Sequence, residues 1–303
     1  MTTRRALVAL AALVAVLAGQ GCGSSDVKRA ETEATTVALP TKALSLVVNP
    51  KTGAVLAETG AGVFLLPGKG ERAPRKVRAV LVAQGLRTAI DNTLTLAYTS
   101  DGNLVGSSHA NQPDERIAAN LGLLVSTNGG AAWYPISLYD ASDLHILRPD
   151  GASMYAVDFA RNPIKLLVTS DYGRTWVQRT PPGAVTDIAA DPKDPQHAVA
   201  VTDNGLNVTH DLASSWRPTG EDAAAVAWPS GGPLYLGAKD GSISASADGD
   251  AAPKRRGSLG TGVVALATGP RGGLWALGAD RTVSFSSDGG RHWAVRYRLH
   301  EAK

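Results

Sequence analysis

The chain has 303 residues, of which 44% are hydrophobic and 19% charged, and it contains 33 Gly, 17 Pro and one Cys. This composition is typical of a folded protein with many turns and short strands, and a single cysteine excludes an intrachain disulfide. A formal net charge of only +3, without a long run of Lys or Arg, argues against nucleic acid as a partner.

The first 21 residues predict an export signal. Arg4 and Arg5 precede an apolar run over residues 6–18, which is too short to span a bilayer as a helix. Removal of residues 1–21 lowers Lys+Arg from 30 to 28 against 27 Asp+Glu, which leaves the mature chain at +1. The segment resembles a bacterial lipobox that ends at Cys22, although Gly19 replaces the usual aliphatic residue.

Cys22 is therefore the expected lipidation site, with a plain secretory signal as the alternative. Residues 22–42 are rich in Gly, Ser, Thr and charges, which predicts a flexible tether between the lipid and the folded domain. We expect a propeller domain over residues 43–299 and a short tail over residues 300–303. The expected location is the outer face of the bacterial cytoplasmic membrane, in the cell envelope.

A short pattern, Ser/Thr-x-Asp-x-Gly-x-x-Trp, recurs along the chain and is called the box below. The Asp or Asn position falls at residues 128, 171, 211, 248 and 288, in steps of 43, 40, 37 and 40 residues. Four copies keep the Trp, and the fifth is a remnant at Ser246 and Asp248. The four copies are Ser126, Asn128, Gly130, Trp133; Thr169, Asp171, Gly173, Trp176; Thr209, Asp211, Ala213, Trp216; and Ser286, Asp288, Gly290, Trp293.

The step length is that of a four-stranded propeller blade, about 40 to 45 residues. Each step contains four short strand signals separated by Gly or Asp turns. Comparable units lie near residues 44–83, 93–138, 143–180, 184–218, 222–257 and 262–297. The sequence therefore predicts an all-β fold, a single β-propeller of about six four-stranded blades, with seven as the alternative count.

The box residues predict a turn rather than a reactive site. Its Asp or Asn can accept backbone N–H groups, its Gly supplies a positive φ, and its Trp buries a large ring. Metal binding or acid catalysis by the box carboxylates is the alternative interpretation. Because the box joins strands three and four of a blade, the loops that carry function are expected on the opposite face.

Two loops stand out on that opposite face. Residues 107–120 form the longest insertion in the repeat, and residues 138–143 precede an apolar strand. The candidate ligand-binding residues in these loops are His109, Asp114, Glu115, Arg116, Tyr139 and Asp140. The alternative is a solvated loop that packs through its own polar side chains.

Neither a metal nor a cofactor is predicted from the sequence. The six histidines show no local spacing that makes a ligand set, and His145 lies within an apolar strand, as expected of a core or rim residue. Trp228 and Trp275 lie outside the boxes and could form a sugar-binding platform. Both fall in strand signals, which favours burial between blades.

The boxes resemble those of the sialidase-like Asp-box, or BNR-repeat, propeller superfamily, over residues 44–298. A closer likeness, carried by residues 106–109, 120–130, 143–148 and 170–176, is to bacterial, largely actinobacterial, propeller lipoproteins named as glycosylhydrolase-like or exo-sialidase-like. The resemblance implies the fold more strongly than an activity, because one fold serves many functions.

A sialidase-like mechanism implies a Tyr nucleophile with a Glu base, an Asp acid/base and arginines that hold a carboxylate. Tyr139, Glu221 and Asp140 are the candidates for these roles, but the Phe/Tyr-Arg-Ile-Pro motif of true sialidases is absent. The sequence therefore favours a non-catalytic module that binds a protein, peptide or glycan. The alternative function is a sialidase-like glycoside hydrolase.

Overall fold

The computed structural model describes residues 34–90, 94–110 and 117–302. Within these ranges the chain forms 27 strands in six sheets, and the only helix is a 3₁₀ turn over Pro270–Gly272. No helix among the described residues has the length and apolar character needed to cross a membrane. The predicted all-β propeller of six blades is confirmed.

Six sheets, called blades 1 to 6 in chain order, make up the ring. After β1 (Thr35–Leu39), blade 1 contains β2 (Ala43–Val48), β3 (Val55–Thr59), β4 (Gly62–Leu65) and β5 (Arg75–Lys76). A hairpin of β6 (Ala79–Ala83) and β7 (Leu86–Ile90) then precedes blade 2, which contains β8 (Thr95–Tyr98), β9 (Leu104–Ser107), β10 (Leu123–Ser126) and β11 (Ala132–Ser137).

The remaining blades follow the same antiparallel order. Blade 3 contains β12 (Leu144–Asp150), β13 (Ser153–Asp158), β14 (Lys165–Thr169) and β15 (Val177–Arg179). Blade 4 contains β16 (Val185–Asp191), β17 (Asp194–Thr202), β18 (Gly205–Thr209) and β19 (Arg217–Pro218). Blade 5 contains β20 (Ala225–Ala227), β21 (Leu234–Gly237), β22 (Ser242–Ser246) and β23 (Lys254–Ser258), and blade 6 contains β24 (Val263–Thr268), β25 (Leu274–Gly278), β26 (Thr282–Ser286) and β27 (Ala294–Glu301).

Apolar strands pack between adjacent blades, so the core is divided into layers around the ring. In one layer Val105 and Leu123 of blade 2 pack with Leu147 of blade 3, and all three side chains are buried. Such strands are buried on both faces, which explains why their sequences are nearly continuous apolar runs. Each layer holds two neighbouring blades together.

Strand β1 closes the ring. It pairs in parallel with β27, the last strand of blade 6, with Val37 opposite Leu299. Val37 and Leu39 alternate into the core and are fully buried. The predicted tether over residues 22–42 is therefore wrong for residues 35–39, because this strand covers an edge that blade 6 would otherwise expose. The predicted tail from residue 300 is also wrong at its start, since β27 continues through Glu301.

The first unit differs from its predicted limits. Its fourth strand is β5, and β6, which the sequence assigned to this unit, instead pairs in parallel with β11 of blade 2. The β6–β7 hairpin thereby extends blade 2 to six strands. Both β5 and β6 are short, and the sequence pattern does not tell which of them belongs to blade 1. The strand that each one pairs with decides its blade.

The blade topology gives the ring two distinct faces. Loops from strand one to two and from strand three to four, which include the boxes, lie on the box face. Loops from strand two to three and connections between blades lie on the opposite face, called the non-box face. The first strand of each blade runs from the non-box face to the box face along the centre of the ring.

Candidate functional site at the non-box mouth of the channel

The four Trp-bearing boxes form closely similar hydrogen-bonded turns. The hydroxyl of the first residue accepts an N–H from four residues later, at 3.0 Å from Gly130, 3.1 Å from Gly173, 3.1 Å from Ala213 and 2.9 Å from Gly290. The carboxylate or amide oxygen also accepts an N–H from four residues later, from Ala132, Thr175, Ser215 and His292. The box side chains thus serve as acceptors within the turn.

These contacts make the box carboxylates poor proton donors. Hydrogen bonds from the backbone N–H and the hydroxyl of Thr175 lower the pKa of Asp171 to about 2. Trp133 is fully buried, and its indole N–H donates to the carbonyl of Gly130 at 2.7 Å. A general acid needs a pKa near the operating pH, so these carboxylates are suited to holding turns instead.

A channel of about 820 Å³ runs through the centre of the ring and is lined by the first strand of every blade. At the non-box mouth each blade contributes a residue at or near the start of that strand. These mouth residues are Leu44, Thr95, His145, Thr186, Ala224 and Val264. The mouth therefore combines apolar, hydroxyl and imidazole side chains in one ring.

An ion pair connects three blades inside this channel. The guanidinium of Arg148 in blade 3 lies 2.5 Å from Oδ1 of Asp187 in blade 4 and also donates to the carbonyl of Ile188 at 3.0 Å. The other carboxylate oxygen of Asp187 accepts the N–H of Val226 in blade 5 at 3.0 Å. Each partner of the ion pair is thus held by a further hydrogen bond to the backbone of a neighbouring blade.

Glu58 is a second channel carboxyl and has no comparable ion pair among the described residues. Its Oε1 accepts the N–H of Leu96 in blade 2 at 2.7 Å. Burial raises the pKa of Glu58 to about 7, although the hydrogen bond from Leu96 and the charge of Arg148 lower it in part. The channel thus holds a carboxyl group that titrates near neutral pH.

Two histidines share one carboxylate beside the mouth, and the set His109, Asp143 and His145 is called the histidine rim. Asp143 lies 3.2 Å from Nε2 of His109 and 2.8 Å from Nε2 of His145. The ring of His145 also packs against exposed Phe159, with 4.6 Å between centroids. The hydrogen bond that His145 donates to the Asp143 carboxylate raises the pKa of His145, because it favours the charged imidazole.

The structure brings the two predicted loops together. His109 forms a β-bridge with Asn120, and the backbone N–H of Asp140 donates to the carbonyl of Asn120 at 2.9 Å. Tyr139 accepts the N–H of Ala118 on its hydroxyl at 3.1 Å and packs against the core of blade 2. The predicted binding residues Asp114, Glu115 and Arg116, and the predicted lipidation site Cys22, lie outside the described residues.

The candidate catalytic residues do not form a set in the described structure. Tyr139 lies on the connection from blade 2 to blade 3, whereas Glu221 lies on the connection from blade 4 to blade 5. Arg148 pairs with Asp187 in the channel, and Arg161 lies beside Asp158 at 3.5 Å. Both arginines are therefore paired with carboxylates, and the Tyr139 hydroxyl accepts a backbone N–H instead.

Sequence reasoning missed several residues of the site. Asp143 and His109 are 34 positions apart and meet only because neighbouring blades do. A second set, His197, His210 and Asp250, forms on the box face in the same way. Glu58 carried a usable signal, since it is a lone charge in the apolar strand β3. Trp228 is buried and Trp275 half-buried, so neither offers an open platform.

Comparison with known proteins identifies the fold. No family model and no curated protein matches the chain. Among solved structures, a GH74 xyloglucanase from Xanthomonas campestris is similar with a TM-score of 0.57 and 20% identity, over 87% of this chain and 38% of that one. The WD40 β-propeller domain of Doa1 is similar with a TM-score of 0.51 and 11% identity, over 82% of this chain and 93% of that one.

A third similar structure is described as YCF48 bound to D1 peptide, with a TM-score of 0.42, 18% identity and 63% of each chain covered. The chain thus spans less than two thirds of the length of the YCF48 and GH74 chains. At these identities the likenesses show the propeller fold alone. The sialidase-like family therefore stays a prediction.

Proposed function

We propose that the chain is a non-catalytic binding module that holds a polypeptide segment at the non-box mouth. The distribution of exposed apolar side chains carries this proposal. Seven large hydrophobic residues are exposed in the described part of the chain, and four of them, Leu44, Val264, Phe159 and Ile164, lie on the non-box face. Grouped exposed apolar side chains mark interaction surfaces in soluble domains.

The arrangement of these four residues suits an extended segment that crosses the mouth. Leu44 and Val264 come from adjacent blades 1 and 6, while Phe159 and Ile164 come from the loop between β13 and β14 on the far side of the ring. Glu58, Arg148 and Asp187 lie in the channel between them. A polypeptide offers both apolar side chains for the edges and polar groups for the channel, so its chemistry matches this pattern.

A glycan partner is less well matched. Sugar-binding sites rely on exposed aromatic faces, and the two indoles outside the boxes are held between sheets. Phe159 is the exposed aromatic side chain on this face of the described structure, and its ring already packs against His145. The alternative function, a sialidase-like hydrolase, lacks the support of an arginine cluster at Tyr139 among the described residues.

We also propose that the propeller is held at the cell envelope by a lipid on Cys22. The positive charge of Arg4 and Arg5, the apolar run over residues 6–18 and the following cysteine support this assignment. Metabolic labelling with an alkyne-tagged palmitate should label the wild-type protein and not the Cys22→Ala variant. Equal labelling of both proteins would disprove lipidation at this residue.

The binding proposal is tested by selecting short random peptides against the purified protein. The affinity of the enriched peptides is then measured by fluorescence anisotropy for the wild type, Leu44→Asp and Val264→Asp. Tyr172→Asp is the matched control, because Tyr172 is exposed and apolar but lies in a box turn on the opposite face. We expect each mouth variant to weaken binding at least tenfold and the control to leave it unchanged.

Loss of peptide binding in Tyr172→Asp alone would place the binding surface on the box face. Failure to enrich any peptide, together with specific binding on a glycan array, would show that the partner is a glycan and not a polypeptide. Either result contradicts the proposal.

A further inference from the structure

Three potential metal ligands meet on the box face, opposite the non-box mouth. They are His197 from β17, His210 from the box of blade 4 and Asp250 from the loop after β22. Their ligand atoms all lie within 4.8 Å of one another. We propose that His197, His210 and Asp250 bind a divalent transition-metal ion, Zn²⁺ by preference, which links blade 4 to blade 5.

His197 carries a buried nitrogen without a hydrogen-bond partner among the described residues. The His197 side chain is only 6% exposed, and its Nδ1 lies 3.2 Å from Oδ2 of Asp191. Its Nε2 is buried and has no hydrogen-bond partner within the described part of the chain. A proton on Nδ1, shared with Asp191, leaves a lone pair on Nε2, which is the arrangement that a carboxylate imposes on metal-binding histidines.

Asp250 lies beside both imidazoles. One of its oxygens, Oδ2, lies 2.9 Å from Nε2 of His210 and 3.9 Å from Nε2 of His197. Two ligand atoms on a tetrahedral Zn²⁺ with bonds of about 2.0–2.1 Å are about 3.3–3.4 Å apart. The two observed separations bracket this value, so Asp250 lies close to ligand distance from both imidazole nitrogens.

The other oxygen of Asp250 is already engaged. Arg217 donates to Oδ1 through its guanidinium, which leaves Oδ2 directed at the two imidazoles. Arg217 and Asp191 thus orient two of the three ligands from outside the set. Outer partners of this kind fix the rotamer of a ligand and are typical of built metal sites.

The surrounding packing holds His197 in place, since Trp228 contacts its ring edge-on at 5.0 Å. The rings of His197 and His210 stack with 4.1 Å between centroids and 25° between their planes, so the partly exposed His210 ring has to rotate to direct its Nε2 at an ion bound by His197. Gly249 has a φ of +85°, and a Cβ there would lie 3.3 Å from Nε2 of His197 and 3.1 Å from Trp228. A glycine therefore lets the loop before Asp250 approach the buried nitrogen.

The worn box of blade 5 explains why the site lies in this part of the ring. The box of blade 5 is the worn copy and has lost its Trp, so its turn lacks the large ring that anchors the turns of blades 2, 3, 4 and 6. Its box carboxylate, Asp248, still accepts the N–H of Ala251 at 2.8 Å, and the following Asp250 reaches to blade 4. With three protein ligands, the fourth position on the ion would be open to water, on the side where His210 is 52% exposed.

The histidine rim on the other face is a weaker candidate. Each oxygen of Asp143 is paired with a different imidazole, at 3.2 Å and 2.8 Å. Its hydrogen bonds therefore account for the arrangement without an ion, whereas Nε2 of His197 has no hydrogen-bond partner among the residues that the structure describes.

The test is isothermal titration of ZnCl₂ into the purified, untagged full chain after treatment with a chelator, with Co²⁺ absorption as a second readout. We expect one Zn²⁺ per chain and a tetrahedral Co²⁺ spectrum. His210→Ala and Asp250→Asn should each weaken Zn²⁺ binding at least tenfold. Both changes lie at partly exposed side chains, and circular dichroism will show that the variants are folded.

Two controls make the result specific. His292→Ala removes an exposed box-face histidine that pairs with Asp288 at 2.6 Å but has no third ligand, and it should bind Zn²⁺ as the wild type does. His109→Ala removes a ligand of the histidine rim and should also bind normally. The proposal is overturned by an absence of stoichiometric binding, by binding that survives both His210→Ala and Asp250→Asn, or by binding lost only in His109→Ala.

Discussion

Glu58 offers a direct test of the electrostatics inside the channel. The pKa of its carboxyl is raised from 4.5 to about 7 in the folded protein by burial. Between these two values the unfolded chain has released the proton while the folded chain still holds it. The folded state then binds more protons, so the free energy of unfolding falls as the pH rises through this interval.

The size of the effect follows from the difference between the two pKa values. A difference of about 2.5 units, at about 1.4 kcal/mol per unit, gives about 3 kcal/mol of stability lost above the folded pKa. The variant Glu58→Gln keeps an oxygen that can accept the N–H of Leu96 but cannot ionise. We therefore expect it to approach the wild type in stability near pH 4.5 and to exceed it by about 3 kcal/mol near pH 8.5.

The assay is urea denaturation followed by tryptophan fluorescence at a series of pH values. Glu71→Gln is the matched control, because Glu71 is an exposed glutamate whose carboxylate accepts only a local N–H, from Gly68. The control should follow the wild-type pH dependence throughout. Parallel pH profiles for the wild type and Glu58→Gln would refute the argument that burial holds a proton on this carboxyl.

Three further predictions concern the turns, the ring closure and the absence of hydrolysis. Gly173→Ala should cost more than about 2 kcal/mol in chemical denaturation, because φ is +80° and the added Cβ would lie 2.2 Å from Cδ2 of Leu123; an unchanged midpoint would contradict this. Val37→Asp, which buries a charge in β1, should lower the melting temperature by at least several degrees, and a normal melting curve would mean that β1 does not close the ring. On a fluorogenic sialoside panel we expect no turnover that depends on Tyr139. Turnover by the wild type that is lost in Tyr139→Phe would instead support a sialidase-like hydrolase.

The sequence predicts the propeller because its signals are local. The three best-kept boxes combine a turn, a glycine and an indole within eight residues, and the near-constant step of about 40 residues counts the blades. The closing strand could not be assigned in this way. Thr35–Leu39 is short, and its partner β27 lies at the other end of the chain, so the pairing depends on ring geometry.

The site was only partly predictable for a related reason. The non-box face follows from the order of strands, and the loops carrying His109 and Tyr139 could be selected on it. The meeting of His109 with Asp143, or of His197 with Asp250, depends on contacts between neighbouring blades. Such contacts leave no fixed spacing in a single sequence.

The most direct test of binding at the non-box mouth is amide hydrogen exchange with and without the tightest selected peptide. If the peptide binds at the non-box mouth, the amides at the mouth ends of β2 and β24 and in residues 159–164 gain protection from exchange, and those of the box turns change little. Protection confined to the box turns, with the mouth strands unaffected, would contradict it.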